Sequence, residues 1–355
     1  MTKNFIDLFC GAGGLSLGFE RAGFKCVGAI DISKACINTH KLNFPDCVSI
    51  NKDISKINPR EFSKEIRNKN IDLIIGGPPC PTFSTIGHAK IKSIKGKNNL
   101  NFTLFDDDRN FLFKNYFSYI EHFKPNFFIM ENVPNFITKY QGSIFNQTKA
   151  KIEKLGYKIL NEDNLVFNAA DYGVPQTRKR VIFIAVRKDV TDAIGLTSLN
   201  IASVFPEKSS ETVTCGNAFS DLVYDEEEIK MLTKSFTKGS HFETASKMPL
   251  DPKKVLTGCD YHPKGHHFNM KRISRFKPSP TITASGGCIH WSEMRKLALC
   301  ETRRLTSLPE DFKLTGKWEQ RSERMGRMVP PLMMKAIADS IYKKVLKPYK
   351  ELNNG

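Results

Sequence analysis

The sequence predicts a doubly wound α/β domain joined to a less regular second region. Three observations carry this. Short apolar runs alternate with stretches of helical period through the first half of the chain. The runs are nearly continuous rather than alternating, the pattern of strands buried on both faces. A glycine-rich turn, "CGAGG" (10–14), separates the first run from the first helical stretch.

In order, "NFIDLF" is a strand and "GGLSLGFERAG" its helix. "KCVGAID" is a second strand and "ISKACINTHKLNF" reads as the helix that follows it. "NIDLIIGG" is a buried strand, "RNFLFKNYFSYIEHF" carries apolar residues at helical spacing, and "PNFFIMENV" is again a strand. "TKAKIEKLGY" is a helix stopped by Gly156, and "KRVIFIAV" a further strand. After about Arg187 the rhythm fails. Residues 188 to about 285 mix polar loops, short strand candidates and the acidic patch "DEEE" (225–228). "VPPLMMKAIADSIYKKVL" is an amphipathic helix with proline near its start, and its apolar face needs the first domain as partner.

The 355 residues allow two domains. No run is long and apolar enough to span a bilayer, and the N-terminus lacks a signal-peptide layout, so a cytoplasmic protein without membrane association is expected. The nine cysteines include no CxxC pair, so free thiols and no zinc site are expected. His262, His266 and His267 lack cysteine or carboxylate partners at ligand spacing, and no metal is expected there either. The net charge of +17 is the electrostatic footprint of a polyanion binder, though a merely basic surface also has it.

Three features mark a site along one sheet edge. The glycines between first strand and first helix let a ligand approach the backbone, although the spacing is not that of a dinucleotide fingerprint. Asp31 ends the second strand, where a carboxylate holds ribose hydroxyls in this architecture, and Asp53 ends the third. "GGPPCPTFS" (76–84) then holds one thiol, Cys80, rigidly between prolines after a buried strand. Read alone, that thiol is either a small buried hydrophobe or a presented nucleophile.

Taken together, "DLFCGAGG", Asp31, Asp53, "PPCPTFS", "DDRNFL", "ENV", "QTRKRV", "RRLTSLPEDF" and "RMGRMVPP" resemble, in order, the cytosine-C5 DNA methyltransferases of bacterial restriction-modification systems. The resemblance implies a Rossmann-like methyltransferase domain formed by 1–187 plus about 316–355, and a smaller, mostly irregular or β target-recognition domain with a hinge segment over about 188–315. It implies S-adenosylmethionine as methyl donor, S-adenosylhomocysteine as product, double-stranded DNA as substrate, a monomer, and a cognate restriction endonuclease as partner. A transfer-RNA cytosine is the alternative substrate.

By the same resemblance Cys80 adds to C6 of a flipped cytosine. Glu131 contacts N3 and the exocyclic amine, and Arg178 and Arg180 approach the base. Phe9 stacks on the cofactor's adenine, and the backbone of Cys10, Gly11, Gly13 and Gly14 borders its methionine part. Asp31 binds the ribose, Asp53 and Ile54 the adenine, and Pro79 and Leu112 line the pocket. Arg327 stands where the family carries asparagine near the methionine end, and Pro81 where it carries glutamine. Ser84, Gln176 and a loop carrying Lys90, Lys92, Lys95 and Lys97 are expected at the DNA. Period two places Gln176, Arg178 and Arg180 on one strand face.

Overall fold

The computed structural model describes residues 3–67, 69–79, 111–197, 200–267 and 269–353. The chain divides into two compact units, residues 1–167 with 180–206 and 337–355, and residues 168–179 with 207–336. The second unit thus begins later than the loss of rhythm at 188, and the chain returns to the first unit inside the C-terminal helix rather than near 316. It also takes a short early segment, 168–179, out of what reads as the first domain.

The first unit is built on a mixed sheet. Its strands are β1 (Asn4–Leu8), β2 (Lys25–Asp31), β3 (Val48–Asn51), β4 (Leu73–Gly76), β5 (Phe127–Asn132), β6 (Tyr157–Ile159), β7 (Val166–Asn168) and β9 (Lys179–Arg187). The order is β3-β2-β1-β4-β5-β9-β6, with β7 paired to β9. The contacts among β1 to β5 are parallel, and β9 runs antiparallel to both β5 and β6. The reversal between β1-β2 and β1-β4 makes β1 the switch point, and ligands of such sheets bind outside the carboxyl ends of the strands there.

Register aligns those ends. Leu8 lies opposite Ile30 and Gly76, and Gly76 opposite Met130. A Cβ at Gly76 would collide with the Leu8 carbonyl, so this strand ends on glycine of necessity. Helices α1 (Gly14–Arg21), α2 (Lys34–Asn43), α3 (Pro59–Glu65), α4 (Phe111–Phe123) and α5 (Ser143–Lys154) follow the strands. Local chemistry fixes their starts: Ser33 caps α2 by accepting from Cys36 N–H, and Asn58 and Glu61 form a capping box with Pro59 in the first turn of α3. Tyr116 and Tyr119 of α4 are buried, and their hydroxyls donate to the carbonyls of Ile129 (2.9 Å) and Ile57 (3.2 Å). The expected C-terminal helix forms as Pro331–Ile341, continued by Tyr342–Leu346 and Lys347–Leu352. Within the first unit Ile337, Ile341, Val345 and Leu346 are buried, Ser340 donates to the Val204 carbonyl at 2.6 Å, and Lys350 pairs with Asp72 at 2.9 Å.

The second unit was expected to be mostly irregular or β. Its strands are only two residues long, β8 (Gln176–Thr177) with β12 (Ser279–Pro280), and β10 (Leu256–Thr257), β11 (Lys271–Arg272) and β13 (Cys288–Ile289) in a second small sheet. Helices Glu226–Ser235, Ser240–Ser246, Leu299–Leu305 and Trp318–Arg327 supply more of its regular structure. "DEEE" is a helix start: Asp225 accepts from the Glu227 and Glu228 N–H groups, and three glutamates follow in the first turn, where the helix dipole favours negative charge. A buried pair stiffens this unit, with Arg295 donating to both Glu301 oxygens at 2.8 and 2.9 Å.

Candidate active site

The first wall of the site is the loop after β1. Phe9, Gly11 and Gly13 all have positive φ (64°, 53° and 98°), so the backbone doubles back at once. At Gly13 only glycine fits, because a Cβ would strike the Phe44 ring and stand 3.1 Å from His40. At Gly11 there is open space above the backbone. Asp31, at the end of β2, fastens this loop: one carboxylate oxygen accepts from Gly11 N–H at 2.9 Å and the other from Ser33 N–H at 2.8 Å. Each oxygen keeps a further lone pair for a ligand.

The second acid, Asp53, follows the neighbouring strand β3. Asp53 caps the short turn Ile54–Lys56, accepting from the Ser55 N–H at 3.0 Å and hydroxyl at 2.8 Å, and these bonds hold its carboxyl below the usual range. Ile54 is buried. Asn51 ties the two strand ends together by donating to the carbonyls of Asp31 (3.1 Å) and Ile32 (2.9 Å). Phe9 and Leu112 are half-buried against the same apolar core. Cys10 is buried, and desolvation pushes its thiol well up, so it lines the loop as a neutral group.

The second wall comes from β4 and β5. Beyond Gly76, the chain continues through Gly77 to buried Pro78 and exposed Pro79. Asn132, at the end of β5, donates to the Pro78 carbonyl at 3.2 Å and accepts from Val133 N–H at 2.9 Å, fixing the two strand ends to each other. Beside it Glu131 pairs with Arg180 of β9, Nε to Oε1 at 2.7 Å, both side chains about 15% exposed or less. A Cβ on Gly77 would lie 2.8 Å from the other Glu131 oxygen. The carboxylate is therefore held by a guanidinium on one side and pressed against bare backbone on the other, where β4 ends.

Cys80, Pro81, Ser84, Lys90, Lys92, Lys95 and Lys97 lie outside the described residues. Among the described cysteines, Cys26, Cys215, Cys259, Cys288 and Cys300 have thiols pushed up, burial being the largest cause in each.

Two residues read as one face with Arg180 are placed differently. Arg178 belongs to the second unit and is buried, donating to the carbonyls of Ile282 (2.8 Å), Gly326 (2.9 Å) and Arg327 (3.1 Å). Gln176, expected at the DNA, is also fully buried; its amide donates to the Leu305 carbonyl at 2.9 Å, and its oxygen accepts from Ile282 N–H at 3.2 Å. Strand pairing breaks at Arg178, between β8 and β9, so the two-residue period does not run through. Both are internal anchors. Arg327 is exposed and paired with Glu323 at 2.6 Å, one turn earlier on its helix. His262 accepts the N–H groups of Lys264 (3.1 Å) and His266 (3.3 Å) at Nδ1, which leaves its proton on Nε2.

Sequence reasoning missed a buried polar chain beneath the glycine loop. Asp7 accepts from the Ser16 hydroxyl at 2.6 Å, Ser16 lies 3.2 Å from His40 Nε2, and His40 Nδ1 lies 2.8 Å from Ser49 Oγ. Burial raises the Asp7 carboxyl to about 8 and lowers His40 to about 3, so both are largely uncharged near neutrality. The only sequence signal is polar residues inside otherwise apolar elements.

Comparison with known proteins agrees with this architecture. A family model described as C-5 cytosine-specific DNA methylase matches residues 3–343. The Type II methyltransferase M1.HphI of Haemophilus parahaemolyticus is 31% identical over 97% of this chain and 87% of its own. The Type II methyltransferase M.XorII of Xanthomonas oryzae pv. oryzae is 29% identical over 96% and 85%. Among solved structures, a candidate DNA modification methyltransferase encoded within a prophage (E. coli) superposes with a TM-score of 0.72 at 26% identity, over 97% of this chain and 99% of that one. The Spodoptera frugiperda DNMT2 structure shares the fold with a TM-score of 0.57 at 17% identity, over 96% of this chain and all of that one.

Proposed function

The chain belongs to the C-5 cytosine-specific DNA methylase family, and from that premise we propose that it methylates C5 of a flipped cytosine in a short duplex sequence by covalent catalysis from Cys80. It is a DNA (cytosine-5-)-methyltransferase related to the modification enzymes of type II restriction-modification systems. The observation that supports the finer reading most is the Glu131–Arg180 pair beside Gly77 and Pro78, at the strand end from which Cys80 follows.

The glycine loop suits S-adenosylmethionine. The open backbone at Gly11, the half-buried Phe9 ring, the Asp31 carboxylate ending β2 and the Asp53 carboxylate capping the turn after β3 offer an aromatic face and acceptors for a nucleoside. When bound, the cofactor supplies an electrophilic methyl group. Asp31 holds ribose hydroxyls with the lone pairs its backbone bonds leave unused, and Ile54 gives an apolar surface beside Asp53.

On the substrate side, the Cys80 thiolate forms a bond to C6, which makes C5 enamine-like and able to take the methyl group. Glu131 hydrogen-bonds N3 and the amine, favouring the protonated ring as C6 is attacked, while Arg180 fixes the carboxylate's orientation. Transfer of the C5 proton and of the added ring proton to solvent water, with departure of the thiolate from C6 as the C5–C6 double bond re-forms, restores the aromatic ring and Cys80. Ionising an ordinary thiol at pH 7 costs roughly 2 kcal/mol, which a cationic site offsets. Flipping exposes C5 and C6 at a cost of a few kcal/mol. The second unit is assigned to target recognition, and the activity to protection of DNA from a cognate endonuclease. No helix among the described residues is long and apolar enough to cross a membrane.

Transfer of tritium from methyl-labelled S-adenosylmethionine to duplex DNA, with transfer RNA in parallel, tests this reading. Label in DNA cytosine is the expected result. Label in RNA alone would replace the substrate, and label in neither would overturn the activity.

A further inference from the structure

Four of the nine cysteines fall within the first fifty residues, and two of them meet inside the first unit. Cys26, on β2, and Cys47, directly ahead of β3, bring their sulfurs to 3.1 Å. One nitrogen of His40, on α2, joins them, and the three donor atoms all lie within 4.8 Å of one another. All three residues are buried, Cys26 and His40 completely and Cys47 at 8% exposure. None takes part in the chemistry proposed above.

We propose that Cys26, His40 and Cys47 form a zinc(II) site beneath the glycine loop. Two thiols and an imidazole are a donor set that zinc accepts, with three protein ligands and a fourth position left for solvent. Charge favours a divalent ion: binding releases two thiol protons, and two thiolates with one Zn(II) give a neutral unit, whereas a monovalent ion would leave a net negative charge in the core.

The surroundings supply the outer shell that such a histidine needs. His40 Nε2 faces the Ser16 hydroxyl and Nδ1 the Ser49 hydroxyl, at 3.2 and 2.8 Å. Whichever nitrogen takes the metal, the other keeps a serine to orient the ring, and on the Ser16 side the chain continues to the Asp7 carboxyl. A Zn–S bond of about 2.3 Å in tetrahedral geometry sets the sulfurs about 3.8 Å apart, so loading requires them to separate by about 0.7 Å from their present 3.1 Å contact. The three donors arise on separate elements, which is why no CxxC-type spacing announces them.

A zinc ion here fastens β2, α2 and the start of β3 under Gly13, whose backbone rests on Phe44 and His40. The test uses the full chain, stripped with a chelator and dialysed with reductant against a graded series of free zinc, with bound metal counted by mass spectrometry and melting temperature recorded. Wild type is expected to bind one equivalent that raises the melting temperature. Cys47→Ser should lose that equivalent, while Cys259→Ser, in the second unit, should retain it. Ser16→Ala, which leaves all three donors in place, should weaken binding by about 10–100-fold if Nδ1 takes the metal, and Ser49→Ala if Nε2 does. Equal zinc uptake and equal melting shifts in wild type and Cys47→Ser would overturn the site, as would wild type that binds no zinc. If Cys47→Ser fails to fold, no weakening in either serine variant overturns it on its own.

Discussion

Replacing Gly77 by alanine separates the demands of the fold from those of the site. The added Cβ would stand 2.8 Å from Glu131 Oε2, whereas ordinary contact begins near 3.4 Å, so about 0.6 Å must be found. The neighbouring atom is the end of a side chain, not backbone, and Gly77 is not among the residues with positive φ. The fold can therefore absorb the change: alanine gains about 0.4–1 kcal/mol through a less mobile unfolded chain, which offsets local strain, and net stability should move by no more than about 1 kcal/mol. The site cannot absorb it, because the other Glu131 oxygen is held at 2.7 Å by Arg180 and the carboxylate must turn or leave its partner. Misplacement of this order costs about 10²-fold in rate, or about 2.7 kcal/mol of activation energy. Methyl-transfer kcat/KM and the calorimetric melting temperature, measured on one preparation, give both quantities. A Gly77→Ala enzyme of unchanged kcat/KM would refute the placement of Glu131 at the reacting base.

Four other outcomes are expected. Arg178→Met should destabilise the protein by about 3 kcal/mol or more by orphaning buried carbonyls, whereas Arg180→Met should mainly lower kcat; urea titration beside kinetics distinguishes them. Asp31→Ala should weaken cofactor binding by about tenfold or more and leave DNA binding nearly unchanged, since it releases Gly11 and Ser33 from the loop; calorimetric titration with each ligand decides, and equal losses would contradict the assignment. The folded-state pKa of Asp7 is raised to about 8, so its contribution to stability is full below about 4 and is lost as pH rises through about 8; D7N should flatten that part of the stability profile in urea midpoints taken across the range. DNA affinity should fall with salt at a log–log slope of about −0.9 per neutralised phosphate, and a flat response would give the +17 charge another purpose.

The strands and the glycine loop were legible because their signals are local. Continuous apolar runs such as "LIIG" and "FFIM" leave no polar face for water, and so they are buried between helices. Asp31 and Glu131 were legible as acids that end such runs. Arg178 and Gln176 were not, because alternation assigns faces only along an unbroken strand, and this one breaks between the two units. "DEEE" carried a readable helix start, an N-cap aspartate followed by first-turn acids, whose meaning is easily taken for surface charge. The contacts of Asp7, Ser16, His40 and Ser49 join residues from β1, α1, α2 and β3, and no sequence spacing encodes a meeting that only tertiary packing creates.

The central claim is methylation of DNA cytosine at C5 through Cys80. Bisulfite sequencing of DNA from cells expressing the chain, beside cells expressing Cys80→Ser, tests it most directly. Newly protected cytosines confined to one short sequence, and lost in the variant, are the predicted result. The same protection in both strains would contradict covalent catalysis by Cys80, and protection in neither would contradict DNA cytosine as the substrate.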